Sequence, residues 1–529
     1  MRIACLGGGP GGLLAALLAK RGDPGREVTV FERNQAGDTF GFGVVFSDST
    51  LDGIDAADPV LRRALTEHGV HWDPIEVRLR GERWRFGGNG MAAVTRRTLL
   101  SLLQQRAAEV GVDLRFSAPV TPEELLGAGY DLVVAADGAN SLMRARFGDV
   151  FGPSVVSATA KFIWLGTTYG FDGLTFVHEQ SPHGVFAVHG YPIGNGVSTF
   201  LVETDEASWR AAGLDAFDVS QPPGPSDLLS RDYLEKLFAE QIDGRPLLVN
   251  NSRWSNFRTW RTQRWHHRAG RTAVALLGDA AHTAHFSVGS GTKMAMEDAV
   301  ALVAALDGAG PGPTADAVDQ ALAVYEAERT GLVARIQDSA RPSLSWWEHF
   351  GRSYENLPPW QFAFHFFSRS LPEAKLRQRD AGFVESVHRA WRAAHGGQEP
   401  LHSPIEIAGL PQTDRVVGVD RDVAWLDSGP LPLGSGPSAE RNRWGVWVSA
   451  PETEASVDQA AGEAARGLAA GACLVAVGDG TALTRRLVCE AARLGSGAVA
   501  MLVEDATEDA ARTAVLSGRA DLVGVRERR

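Results

Sequence analysis

The sequence predicts an α/β protein, α+β over its whole length, assembled from several domains. Three observations carry that expectation. The chain opens strand, glycine turn, helix, strand. Its middle, about 161–203, is rich in Phe, Val, Thr and Tyr punctuated by glycine, as antiparallel strands are. Beyond residue 444, short apolar runs alternate with alanine-rich stretches, as successive β/α units do. At about 100–200 residues per domain, 529 residues fit three or four domains.

The elements follow in order. Residues 3–6 form a short apolar strand, 7–12 a glycine-rich turn, 13–20 a helix and 28–31 a second strand. A helix over 96–110 leads into a strand at 112–116. Residues 131–135 read as a buried strand ending at Asp137-Gly138. Pro222-Pro223-Gly224-Pro225 marks a loop. Residues 272–277 form another buried strand, followed by a glycine-rich turn and an amphipathic helix over 294–306. Residues 315–341 continue helical. The aromatic-rich stretch 344–391 is helical too, broken at Pro358-Pro359. The Gly/Pro/Ser-rich stretch 426–438 reads as a linker.

Composition narrows the function. The chain is 44% hydrophobic and 22% charged, ordinary for a globular protein. Lys+Arg 52 against Asp+Glu 64 gives a net charge of −12, which repels phosphate backbones, so no nucleic-acid partner is expected. Cys5, Cys473 and Cys489 show neither metal spacing nor a disulfide framework, which suits a cytoplasmic protein with no bound metal. The glycines and proline at 7–12 interrupt any signal-peptide core, and no apolar run is long enough to span a membrane.

Three motifs carry chemistry. In the first, Gly7 makes the tight turn, Gly9 lets a pyrophosphate approach the backbone, and Gly12 lets the helix pack on the sheet. The helix start offers free N–H groups and positive partial charge. Glu32, at the end of the second strand, would accept from a ribose diol. The second motif is Asp137-Gly138-Ala139-Asn140-Ser141 with Arg144. The third is Gly278-Asp279-Ala280-Ala281-His282, followed by Gly289 and Gly291. Either of the last two alone reads equally well as a turn with a helix cap. All three in this order, each after an apolar strand, are hard to explain by chance.

In that order the motifs resemble the single-component FAD-dependent aromatic hydroxylases of the para-hydroxybenzoate hydroxylase type. The resemblance implies that Gly7, Gly9, Gly12 and Glu32 hold the ADP part of FAD, with Arg33 a further cofactor-binding residue. It puts Asp137 near the meeting of FAD and the nicotinamide cofactor, and Asp279 on the ribityl chain. Arg96 matches the flavin-contacting arginine, with Arg97 the near alternative. Gly289, Gly291 and Thr292 would line the flavin ring, and Val45 is a further cofactor-binding residue. Lys293, at an asparagine's usual position, would stabilise an anionic reduced flavin. One fingerprint rather than two implies that FAD stays bound while NADH or NADPH visits. The family cycle hydroxylates an electron-rich ring with O2 through a flavin C4a-hydroperoxide.

A closer resemblance rests on Phe40-Gly41-Phe42-Gly43-Val44-Val45-Phe46-Ser47, on residues 161–168 and on residues 282–293. It points to the aromatic acyl-CoA branch, which includes 2-aminobenzoyl-CoA monooxygenase/reductase and salicylyl-CoA 5-hydroxylase, over about residues 1–400. The implied layout is a Rossmann-like FAD-binding domain (1–75, 95–165, 270–340) with an inserted antiparallel substrate-binding sheet (76–94, 166–269). A helical aromatic-rich segment (341–400) follows, then a degenerate β/α domain (401–529) resembling a truncated (β/α)8 barrel. Residues 401–410 resemble the start of such a barrel and 518–523 its end. The intervening length is short of a complete barrel, so about four strands without an intact flavin site are expected. Gly478-Asp479-Gly480 resembles a nucleotide loop but lacks an acid-ended βαβ unit around it.

For the substrate, His285 and Phe286 stand where many relatives carry prolines beside the flavin. His285 is therefore the preferred active-site polar group, and His282 reads as structural. His178, His189, Tyr191 and Thr199 are the polar residues of the predicted sheet, with His189 and Tyr191 taken as catalytic candidates. The expected partner is a small aromatic molecule. A phenolic or hydroxypyridine natural-product intermediate, of the piericidin type, ranks ahead of an aromatic acyl-CoA, because the reductase half is missing. An epoxidase or reductase of the same fold is the alternative. A halogenase would need a Trp-x-Trp-x-Ile-Pro segment, which Trp444 and Trp447 do not match. Residues 346–383 read as core or as a subunit contact, leaving a homo-oligomer open.

Overall fold

The computed structural model describes residues 1–529 except 40, 219–223, 287–288, 290, 437–442 and 527–529, and the side chain of residue 49. Phe40, Pro222, Pro223, Ser287, Val288, Ser290, Pro437 and Ser438 of the stretches read above therefore lie outside the described residues. The chain divides into two compact units, Met1–Glu76 with Asn89–Glu348, and Val77–Gly88 with His349–Arg529. Residues 77–88, assigned from sequence to the substrate sheet, thus sort with the C-terminal part.

The first unit holds two principal sheets. One has six strands in the order His266–Ala269, Thr272–Leu276, Leu132–Ala135, Arg2–Leu6, Glu27–Phe31, Asp113–Arg115. All its pairings are parallel except that between His266–Ala269 and Thr272–Leu276. Arg2–Leu6, Leu132–Ala135 and Thr272–Leu276 read as continuous apolar runs because both faces are covered. The helix Pro10–Gly22 packs so closely that a Cβ on Gly11 would lie 2.5 Å from Leu277. All three sequence motifs sit at the carboxyl ends of these parallel strands, where open α/β sheets bind ligands.

The second sheet is antiparallel: Pro153–Thr167, Val197–Thr204, Gly184–Gly194 and Leu174–Ser181, in that spatial order. Strand alternation separates its faces. Ile163, Leu165, Val177, Phe186, Val188, Phe200 and Val202 point one way into a core that also holds Leu234, Phe238 and Trp254. The intervening residues Phe162, Trp164, Phe176, His178, His189, Tyr191, Thr199 and Glu203 therefore share the opposite face. A smaller sheet, Gly43–Ser47, Met91–Thr95 and Val70–Trp72, carries Tyr191 and Ile193 packed against Trp72.

In the second unit, the expectation of about four remnant strands is corrected. Seven strands close into a barrel: Val416–Asp420, Val423–Leu426, Gly429–Gly434, Gly445–Ser449, Val475–Gly478, Ala500–Val503 and Leu522–Arg526. The first three pair antiparallel and the others parallel. Hairpin-linked strands need no crossover helices, so closure takes fewer residues than an all-parallel barrel. Closure also removes the exposed edges that an open remnant would carry. The predicted linker 426–438 contains one of these strands: Leu431 and Leu433 point inward while Pro430 and Pro432 face out. Its glycine and proline content hid a two-residue alternation. Val417, Val419, Leu431, Leu433, Leu474 and Met501 fill the interior. Gly478-Asp479-Gly480 ends a barrel strand, and Asp479 is engaged by Ser449 and Arg421.

Candidate functional site

A cavity of about 460 Å³ opens at the carboxyl ends of the parallel strands. Gly7, Gly9, Gly12, Glu32, Arg33, Arg96, Asp137, Asp279, Gly291 and Thr292 all line it. Three stretches far apart in sequence therefore meet at one wall. Val45, Gly289 and Lys293, expected to bind the cofactor, are not in the lining. Val44 takes the place of Val45, which packs beside Tyr191. Lys293 turns along its helix to Glu297, 3.7 Å away.

The turn is built for close approach. Gly7 has φ 108°, and a Cβ there would lie 2.3 Å from the Ala136 carbonyl oxygen. On Gly12 a Cβ would lie 2.2 Å from the Gly7 oxygen, whereas on Gly9 it would meet nothing within 4 Å. Gly9 caps the helix Pro10–Gly22 without a side-chain hydrogen bond, leaving N–H groups for an anion. The Glu32 carboxylate accepts from the Gly8 N–H at 2.8 Å and the Asn34 N–H at 2.9 Å. It is thereby fixed at the rim, with its strand end facing the cavity.

In the cavity lining two buried polar atoms have no hydrogen-bond partner among the described residues: Arg96 Nε and Asp137 Oδ1. The other oxygen of Asp137 accepts from the Leu142 N–H at 2.7 Å. Burial raises the Asp137 carboxyl and lowers the Arg96 guanidinium. Arg96 lies over Trp164 at 5.2 Å, and the charges of Tyr191 and Asp279 favour its cation against the effect of burial. Burial likewise raises Asp279. Uncapped N–H groups for a pyrophosphate, an acid for a ribose and an orphaned guanidinium beside an aromatic wall fit FAD.

Arg144 locks the second motif to the third. Its guanidinium donates to the Ala280 carbonyl at 2.8 Å, to Asp279 and to Ala139, and stacks on Trp260 at 3.9 Å. His282 is tied away from the cavity: its Nε2 meets Asp298 at 2.7 Å and its ring stacks on Trp265. Asp298 also accepts from Arg329 at 2.7 Å and from the Gly278 N–H. Burial opposes ionisation of Asp298, but His282 and Arg329 hold it below the usual carboxylate range.

Past Trp164 lies an aromatic enclosure. Phe286 contacts Phe162, Trp164, Phe257, His189 and His285 at ring separations of 4.2–6.0 Å. Inside it, Glu203 Oε2 lies 2.7 Å from His189 Nε2, and Oε1 lies 3.3 Å from His285 Nε2. His189 also packs on Trp347 at 4.4 Å. His178 stacks parallel to Trp347 at 6.3 Å. Tyr191 turns the other way, its hydroxyl 3.4 Å from the Gly43 carbonyl. Thr199 lies near enough to Gly43 that a Cβ there would meet its hydroxyl at 2.8 Å.

Sequence reasoning brought His285, Phe286 and His189 together but missed Glu203, Trp164, Phe257 and Trp347. The available signal was Glu203 itself: an acid in an apolar strand, in phase with Thr199.

These features define the class, a protein with a site that fits FAD. The comparisons agree. The FAD binding domain family model matches residues 1–340. Salicyloyl-CoA 5-hydroxylase of a Streptomyces species is 55% identical over 530 residues, covering 99% of each chain. The 3-hydroxy-4-methyl-anthranilyl-[aryl-carrier protein] 5-monooxygenase of Streptosporangium sibiricum is 38% identical, covering 65% of this chain and 89% of its own. Among solved structures, 2-methyl-3-hydroxypyridine-5-carboxylic acid oxygenase, described as tetrameric, has the same fold. It is 21% identical with a TM-score of 0.51, covering 66% of this chain and 92% of its own. The chain belongs to the FAD binding domain family and is a flavoprotein aromatic hydroxylase. FAD is its cofactor, with NAD(P)H and O2 the family's co-substrates. Among the described residues no helix is long and apolar enough to cross a membrane.

Proposed function

We propose that the protein hydroxylates a phenolic ring presented as a thioester, with salicyloyl-CoA as the first substrate to test. The observation that carries this is the 55% identity to salicyloyl-CoA 5-hydroxylase along 99% of both chains. A relative of the same extent bears that name, so chain length no longer favours a free natural product over a CoA ester. The phenol expected from sequence is kept, because the salicyloyl ring is one.

In this reading the helix start at Gly9 and the turn at Gly7 and Gly12 hold the FAD pyrophosphate, and Glu32 the ribose. Arg33 flanks the ADP part, and Asp279 holds the ribityl chain. Arg96, Gly291 and Thr292 face the ring. FAD held there would supply, with NAD(P)H and O2, the electrophilic oxygen. The protein's own work is to hold the ring carbon near that oxygen and keep water out. Trp164, Phe162, Phe257 and Phe286 supply the dry aromatic wall. His189 and His285 supply the proton acceptors that make a phenol electron-rich. In a salicyloyl ring, position 5 is para to the phenolic oxygen, where ionisation raises electron density.

The aryl-carrier relative supports a second presentation, the same kind of ring on a carrier-protein thioester. Steady-state kcat/KM on salicyloyl-CoA, on a carrier-bound salicyloyl thioester and on free salicylate separates the readings. A clear preference for the CoA ester is expected. Preference for the carrier thioester selects the second presentation, and preference for free salicylate overturns both.

A further inference from the structure

His189, Glu203 and His285 reach one point from three stretches of chain: adjacent strands for the first two, and the loop after the Gly278–Ala280 turn for the third. Both Nε2 atoms face one carboxylate, at 2.7 and 3.3 Å. Glu203 is 1% exposed, His189 5% and His285 2%. Burial alone would raise the Glu203 carboxyl, yet His285 and then His189 hold it below the usual carboxylate range. Among the described residues no group of three or more His, Cys, Asp or Glu side chains is arranged to hold a metal ion. Here the carboxylate lies between the imidazoles. At these separations an ionised carboxylate, which only accepts, favours in each neutral imidazole the tautomer with its proton on Nε2 and its lone pair on Nδ1. The third-group logic is familiar in general acid–base sites: a buried carboxylate orients an imidazole and stabilises the imidazolium that forms.

We propose that Glu203 is a positioning residue for proton removal from the phenolic substrate, fixing His189 and His285 in the tautomer in which one of them takes that proton. The proposal rests on the phenolic reading of the substrate given above. In the step, the substrate O–H bond breaks and an N–H bond forms on the imidazole. The electron pair stays on the phenolate oxygen, and Glu203 remains ionised beside the imidazolium. No oxidant is consumed. Among the described residues, His178 on the next strand and Tyr191 share this face of the sheet, and Tyr191 is influenced by Arg96. Lys161, on the opposite face of its strand, pairs instead with Asn256 and Glu206.

The test uses the FAD-loaded enzyme and the phenol that the wild type hydroxylates best, beginning with salicyloyl-CoA. In Glu203→Gln, kcat at neutral pH is expected to fall about a hundred-fold with KM little changed. Activity should recover as pH rises and the phenol ionises unaided, and Glu203→Asp should restore part of it. A merely structural Glu203 would lower FAD content and raise KM together without that pH-dependent recovery. A second measurement needs no variant. Bound to the wild-type enzyme, the phenol should show phenolate absorbance at a pH where the free compound does not. An unchanged pH profile in Glu203→Gln, or a bound ligand that stays protonated, overturns the role of Glu203. A wild type that hydroxylates no phenol overturns instead the reading on which it rests.

Discussion

Glu203 and His189 are diagonal neighbours on paired strands. The register sets Ala187 opposite Glu203 and His189 opposite Leu201, yet the two side chains meet at 2.7 Å. Diagonal reach of this kind is open to long side chains on one face of a sheet. The same alternation sends Val188, Phe200 and Val202 to the other side, into the core. A one-residue slip would exchange the two sets and put the acid in that core. The register of these two strands therefore decides both the stability of the sheet and the chemistry of the site.

Gly9→Ala should separate cofactor binding from folding. A Cβ at Gly9 meets no protein atom within 4 Å, so the chain should fold normally. The methyl would stand where the pyrophosphate approaches, and FAD affinity should drop about ten-fold or more, or at least about 1.4 kcal/mol. Gly12→Ala, with its 2.2 Å clash against the Gly7 oxygen, should instead lower Tm as well. Flavin absorbance after purification and a thermal melt read both.

Asp298→Ala should destabilise the first unit. Its buried carboxylate accepts from His282, Arg329 and the Gly278 N–H, and removing it takes that partner from all three, leaving Arg329 its bond to Glu297. The loss should be on the order of 3 kcal/mol. Because the same contacts hold the Gly278–Ala280 turn, FAD retention should fall in parallel. Denaturant unfolding followed by flavin fluorescence measures both.

Glu373 predicts an acid-sensitive second unit. His388, Arg377 and Arg512 surround its carboxylate at 2.8–3.0 Å. Against the opposing effect of burial, they lower it from 4.5 to about 2. A depressed carboxylate contributes stability above its unfolded pKa, and that contribution is lost as pH falls through the folded value. Glu373→Gln should therefore cost about 2 kcal/mol at neutral pH, after allowance for solvent screening, and the difference should close between about pH 4.5 and 2. Unfolding midpoints of both proteins across that range check it.

The parallel sheet and its cofactor turn were legible in the sequence, because glycine geometry and the apolar strand runs leave short-range marks. The motifs at Gly7, Asp137 and Gly278 sit at strand ends, so their meeting could be inferred. The aromatic enclosure left weaker traces. Trp164, Phe257 and Trp347 come from three distant stretches, and only the strand register brings them to one face. Glu203 could have been noticed as an acid in phase with Thr199, but its two histidine partners depend on tertiary contacts. The barrel closure was hidden because Pro430 and Pro432 made an alternating strand look like a linker. Lys293 shows the converse: its place in a family motif drew it to the flavin, while its own helix offers Glu297 one turn on.

The central claim is hydroxylation of a phenolic thioester by bound FAD. The direct measurement is turnover of salicyloyl-CoA by the purified FAD-loaded enzyme with NADH or NADPH, following oxygen uptake and identifying the product by mass spectrometry and NMR. The account predicts one ring hydroxyl, para to the first, for each NAD(P)H oxidised. Oxidation that proceeds at the same rate without the thioester and yields only hydrogen peroxide would contradict it.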